Sequence, residues 1–142
     1  GKGYPDVATR QLIKLFCDLQ PKIKILGFFD SDPHGIEILS IYKYGSQAKY
    51  YDNENLAVQN FCWIGLQCRD RKDYDIPDSA LIKMMSNDLK KCRELLKNDN
   101  LPETWGTELK RLLKSKKKAE IESLCYNDNN NMLNYLISKA NN

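Results

Sequence analysis

Apolar positions along the chain change their period twice within the first seventy residues. After Pro5, Val7, Ala8, Leu12, Leu15, Phe16 and Leu19 recur at helical spacing as far as Pro21, and Asp6 stands where a helix cap belongs. Ile23 to Phe29 is then a short, unbroken apolar run between turn signals, the pattern of a strand buried on both faces. Pro33 and Gly35 punctuate the chain, Ile36 to Tyr44 returns to helical spacing, and Gly45 suits the position after a helix end. Ala48 to Tyr51 is a weaker strand candidate, Asn53 to Val58 reads as one helical turn, and Phe61 to Leu66 is a better strand. Helix, strand, helix, strand predicts an α/β fold with a parallel sheet covered by helices.

The polar stretch from Gln67 to Ser79 reads as a loop, and after it the character changes. Asn87 to Lys97, following a Ser86 cap, is amphipathic through Leu89, Cys92, Leu95 and Leu96. Pro102 sits where a helix starts, with Trp105, Leu109, Leu112 and Leu113 on its apolar side. Ala119 to Cys125 and Met132 to Ile137 read as short helices separated by an asparagine-rich turn, Asn127 to Asn131. With 142 residues, one domain is expected: an α/β body over residues 1–80 and a helical extension of it over 81–142.

Charge and cysteine content refine this only a little. The net charge of +3 decides nothing, but Lys110, Arg111, Lys114, Lys116, Lys117 and Lys118 crowd together. Such a run is ordinarily a solvated helix face; contact with phosphate is the sharper alternative. Cys17, Cys62, Cys68, Cys92 and Cys125 form no CxxC pair, and with a single histidine a zinc site is not expected. Reduced thiols, no membrane span and no secretory signal lead to an expectation of an intracellular protein.

The chemistry concentrates in "FFDSDPHG", Phe28 to Gly35. If Asp30 and Asp32 continue the strand, residues i and i+2 share a face, and both carboxylates converge just beyond its end, where ligands bind in open α/β sheets. Two close carboxylates repel unless a cation or proton intervenes, and Mg²⁺ takes such oxygen ligands while keeping waters. The competing reading is that one aspartate simply caps the helix after Pro33. Three classes use Asp-x-Asp in this way: glycosyltransferases, dehalogenase-like phosphatases (for which Asp73 and Asp75 are a candidate second acidic pair) and Toprim domains. The pair alone does not separate them.

The order of further segments does. "GKGYPDVATR" (Gly1 to Arg10) precedes "DSDPHG" (Asp30 to Gly35), and "NLAVQNFCWIGL" (Asn55 to Leu66), "IPDSAL" (Ile76 to Leu81), "ELLKND" (Glu94 to Asp99) and "ELKRLLKSKKKAEIESL" (Glu108 to Leu124) follow. In this order they resemble the A subunit of DNA topoisomerase VI, and more closely the eukaryotic meiotic double-strand-break proteins related to it. The resemblance implies a Toprim, Rossmann-like sheet flanked by helices, here lacking its first strand and the glutamate it carries. It implies a homodimer that grips double-stranded DNA in the nucleus, helped by meiotic accessory subunits, and breaks each strand through a tyrosine in an upstream winged-helix domain. By the same resemblance Asp30 and Asp32 are metal ligands for Mg²⁺, Lys2 and Tyr4 lie beside DNA, and no catalytic residue falls within this chain. Arg10 matches the arginine of the first segment without a role, and His34 stands where relatives carry His or Tyr, which argues against a general base. None of the eight tyrosines matches the nucleophile motif; Tyr42, Tyr44, Tyr50 and Tyr51 read as packing residues. A catalytically inactive DNA-binding scaffold is the alternative for the whole protein.

Overall fold

A computed structural model describes residues 3–45, 57–58 and 60–141. Lys2, the expected strand at Ala48 to Tyr51 and most of the turn expected at Asn53 to Val58 lie outside the described residues. The chain divides into two compact units, Gly1–Gly27 with Glu37–Trp63, and Phe28–Ile36 with Ile64–Asn142.

In the first unit, α1 (Val7–Leu19) starts as its sequence predicts: Asp6 is extended and its Oδ1 accepts the Thr9 N–H at 2.7 Å. The helix buries one residue, and it is Arg10, whose Nε and Nη2 have no hydrogen-bond partner among the described residues. Leu12, Leu15, Phe16 and Leu19 are all more than half exposed. Helix α2 (Pro33–Tyr44) ends where Gly45 takes a positive φ of 93° and donates its N–H to Ile41 O, a turn that glycine makes without steric cost. Near that end the Tyr42 ring stacks on Phe61 with centroids 5.1 Å apart, which is the packing role expected of it.

The expected strands form at β1 (Ile25–Phe28) and β2 (Phe61–Gly65), which pair with each other. Ile25 N–H donates to Asn60 O at one end, and Phe29 N–H donates to Gly65 O at the other, so both strands run the same way. The α/β class with a parallel pair flanked by helices is therefore the observed one.

The second unit holds the larger core. Helices α4 (Ser86–Leu96) and α5 (Glu103–Ser115) pack together, with the buried Cys92 thiol donating to Leu109 O at 3.4 Å. Leu66, Ile76, Ala119, Leu124 and Tyr135 form a further buried cluster, against which Phe28 and Tyr74 pack. Tyr135, on α6 (Asn131–Ala140), is fully buried; its hydroxyl donates to Asp70 Oδ2 at 2.7 Å and also lies 2.9 Å from Ile64 O. Lys139 Nζ stands 3.1 Å from the other oxygen of Asp70, a charge pairing rather than an aligned hydrogen bond. Gly65 permits this arrangement, since a Cβ there would collide with the Tyr135 hydroxyl.

Several local expectations need correction. Residues 67–79 are not a plain loop: α3 (Asp70–Asp73) and the start of a 3₁₀ turn (Asp78–Ala80) lie within them, because Asp70 is buried and its Oδ2 accepts the Gln67 N–H. The cap of α4 is Met85 rather than Ser86, with the Asp88 carboxylate reaching back to the Met85 N–H at 2.8 Å. The basic run does not stay helical. Helix α5 stops at Ser115, and β4 (Lys117–Lys118) pairs antiparallel with β3 (Ile82–Lys83). Ala119 likewise belongs to an extended segment, and only Ile121–Cys125 turns, as a 3₁₀ helix.

Candidate metal centre and nucleic-acid interface

Beyond the end of β1 the backbone does not continue as a straight strand. Asp32 N–H folds back to Asp30 O at 2.9 Å, and Ser31 bridges to Ala119 through two backbone bonds, Ser31 N–H to Ala119 O at 2.8 Å and Ala119 N–H to Ser31 O at 3.1 Å. The same-face rule for strand residues therefore does not place the two aspartates; a turn clamped to the segment after β4 does. Each carboxylate is then held by one amide. Asp30 Oδ1 accepts the Ile121 N–H at 2.8 Å, and Asp32 Oδ1 accepts the Gly35 N–H at 2.8 Å.

Asp32 thus does what the capping alternative proposed, since Pro33 opens α2 and Gly35 is three residues on. Gly35 also makes the turn tight: a Cβ there would lie 2.7 Å from Asp30 O and 3.2 Å from Phe29 Cβ. Capping does not exhaust the site. Burial raises the Asp32 carboxyl above its ordinary range, Asp30 adds to the rise, and the Gly35 amide, His34 and Lys118 oppose it without cancelling it. The two carboxylates therefore feel one another in a desolvated position.

Asp88, which the sequence signals only as a local cap, joins His34 and Lys118 beside them. His34 Nε2 lies 3.3 Å from Asp88 Oδ1, and Lys118 Nζ lies 3.0 Å from Asp88 Oδ2. Burial pushes Asp88 up, but the Met85 amide, Lys118 and His34 outweigh it and hold its carboxyl below the ordinary value. Asp88 thus pairs with His34 and with Lys118, both of which also act electrostatically on Asp32. Its sequence signal was an acid at the third position of a helix, easily read as a local cap.

Hard oxygen donors, a half-buried carboxylate raised first by burial and further by its neighbour, and one remaining oxygen on each aspartate suit a cation such as Mg²⁺. Among the described residues no group of three His, Cys, Asp or Glu side chains completes a metal site, so the remaining ligands would come from water or from elsewhere. Asp73 and Asp75, the second acidic pair a phosphatase would need, are exposed and join no such group. Tyr4 is 41% exposed. The cysteines are all free; burial pushes Cys68 up to about 12 and Cys92 up to about 11, so neither is a ready thiolate.

A parallel sheet pair ending in a clamped Asp-x-Asp turn is the architecture of a Toprim-type α/β domain. Residues 1–140 match the family described as the Toprim domain of Spo11 and of the topoisomerase 6 A subunit, and the chain belongs to that family. It is similar to the A3 subunit of DNA topoisomerase 6 from Oryza sativa subsp. indica, at 38% identity over 125 residues, covering 87% of this chain and 28% of that protein. It is equally similar to the meiotic recombination protein SPO11 of Mus musculus, 38% identical over 126 residues, 87% of this chain and 32% of that protein. The meiotic recombination protein spo-11 of Caenorhabditis elegans is 34% identical over 139 residues, 96% of this chain and 32% of its own length. The chain thus spans less than a third of the length of these curated relatives.

Proposed function

We propose that the whole protein is a Mg²⁺-dependent DNA-cleaving transesterase of the topoisomerase VI A type, making the double-strand breaks that start meiotic recombination. It works in the nucleus as a homodimer on duplex DNA, with meiotic accessory subunits. Membership of the family that joins Spo11 to the topoisomerase 6 A subunit supports this reading, as do relatives named for meiotic recombination, one of which matches 96% of the chain. Residues 1–80 are taken as the Toprim body and 81–142 as its helical extension.

The observation that carries the chemistry is the clamped pair Asp30 and Asp32, with the Asp32 carboxyl raised first by burial and further by Asp30. These two residues hold Mg²⁺. When bound, the ion orients a DNA phosphate and stabilises charge developing on its oxygens. Around it, the Ile121 and Gly35 amides fix the carboxylates, and Asp88 keeps His34 and Lys118 in place. Lys2 and Tyr4 contact the DNA, the lysine at phosphate and the aromatic at sugar or groove. The attacking tyrosine belongs to a part of the protein outside these residues, so the 142-residue chain alone binds DNA but does not cut it.

Fluorescence anisotropy with a short labelled duplex tests the site. Mg²⁺ at millimolar concentration ordinarily weakens DNA binding by screening. Here it is expected to strengthen binding by the chain, and the double variant Asp30→Asn, Asp32→Asn is expected to lose that response. An identical Mg²⁺ response in both proteins overturns the metal assignment. Plasmid nicking by the chain, abolished by Asp30→Ala, would overturn the placement of the nucleophile elsewhere.

A further inference from the structure

We propose that the β3–β4 ribbon and the turn leading into it form a phosphate-binding strip for the nucleic-acid backbone, continuous with the aspartate turn. This rests on the reading of DNA as the substrate and assigns the strip to Lys83, Lys116 and Lys117.

Two features of this ribbon cost folding free energy, and a third leaves its charges open to an anion. Lys83 and Lys117 are directly opposed across the antiparallel pair, and like charges in that register destabilise a ladder. Lys116 takes φ 54°, ψ 25°, the left-handed position where a helix end normally carries glycine, yet the residue there is a lysine. All three lysines are exposed, and none makes an ion pair among the described residues. Lys118, by contrast, is engaged with Asp88.

The scaffold under the strip is well made. Arg71 donates from Nη2 to Lys117 O at 2.8 Å and from Nη1 to Ser115 Oγ at 3.4 Å, which fixes the turn and adds a guanidinium beside it. Two residues after Lys117, Ala119 is bonded to Ser31 between the two aspartates. At about 3.3 Å per extended residue, Lys117 lies roughly 7 Å along the strand from that bridge. A single anion would occupy one lysine. Consecutive unpaired lysines beside a carboxylate turn suit a linear polyanion, whose successive phosphates lie along the ribbon and which reaches the aspartates only through a cation held between.

The test is anisotropy with the same short duplex in EDTA, so that the aspartates contribute no metal bridge, across a series of salt concentrations. The triple variant Lys83→Gln, Lys116→Gly, Lys117→Gln is expected to bind about tenfold more weakly or worse, with a log–log salt slope lower by about 2.7, three contacts at ~0.9 each. Lys116→Gly alone is expected to raise Tm and still weaken DNA binding, a combination that a purely structural lysine would not give. Binding by the triple variant with unchanged affinity and slope overturns the strip and leaves the metal reading standing. A lowered slope in the triple variant, with no Mg²⁺ effect on the unmodified chain, supports the strip and overturns the metal reading. No salt-dependent binding by the unmodified chain overturns both.

Discussion

Helices α1 and α5 have the same length, thirteen residues, and the same kind of amphipathic sequence, yet they end up in opposite situations. Helix α5 buries Trp105, Glu108, Leu109 and Leu112. Helix α1 buries only Arg10 and leaves Leu12, Leu15, Phe16 and Leu19 more than half exposed. Apolar spacing thus records that a helix has a face suited to burial; what covers that face depends on the rest of the fold. The contrast has a direct energetic consequence. Leu112→Ala removes a fully buried side chain and is expected to cost about 3 kcal/mol in urea unfolding, by lost transfer energy plus the cavity left behind. Leu15→Ala, at a residue 53% exposed, is expected to stay within about 0.5 kcal/mol. A comparable cost at both positions would mean that the α1 face is covered in solution, and the contrast would fail.

The same reasoning explains what could be read in advance. The two strands of the parallel pair and helix α5 were legible because unbroken apolar runs and a proline-started amphipathic repeat are local signals. The aspartates were legible as a pair because both lie within three residues. Their geometry was not, since it is set by Ile121 and Ala119, some ninety residues away, which clamp Asp30 and Ser31. Two-residue strands such as β3 and β4 carry no period, and a lysine-rich segment after a helix reads as more helix. Pairing across the ribbon overrides that preference. Asp88 escaped notice for a similar reason: its capping role is local, while its contacts to His34 and Lys118 are tertiary. The burial of Arg10 ran against the apolar pattern of its own helix, so no periodicity could have signalled it.

Within the unit that holds α5, one group works against folding, in contrast to that packed helix. The Asp32 carboxyl is raised above its ordinary value of 3.8, by burial first and Asp30 after it. A raised acid favours the folded state in its protonated form, so the contribution is present below the unfolded value and is lost as pH rises through the folded one. Asp32→Asn keeps an oxygen for the Gly35 amide and removes the charge. In EDTA near neutral pH this variant is expected to melt at a higher temperature than the unmodified chain, and the gap should close as pH falls toward 3.8. Added Mg²⁺ should narrow the gap from the other side by stabilising only the unmodified chain. A lower Tm for the variant at neutral pH would show that the ionised carboxylate is stabilising, and the proposed metal role of the pair would lose this support.

The smallest expected effect lies at the starts of the same two helices, where their roles reverse. Helix α1 has a side-chain cap, Asp6 to the Thr9 amide, while α5 begins at Pro102 with no side-chain capping bond. The backbone hydrogen bond from Thr9 is the leading cause that holds the Asp6 carboxyl below its ordinary value of 3.8. A depressed acid contributes above the unfolded value and loses that contribution as pH falls through the folded one. Protection of the Thr9 amide from hydrogen exchange should therefore drop on acidification below 3.8, and should be low at every pH in Asp6→Ala. Pro102→Ala removes no side-chain hydrogen bond and should leave the exchange of the first α5 amides without that acid-dependent step. Because Asp6 is fully open to water, the change is expected to stay within the first turn of α1 and to leave the global unfolding midpoint nearly unmoved. Equal Thr9 protection in the chain and in Asp6→Ala would show that the cap contributes nothing in solution, and that the start of α1 is held by packing as α5 is.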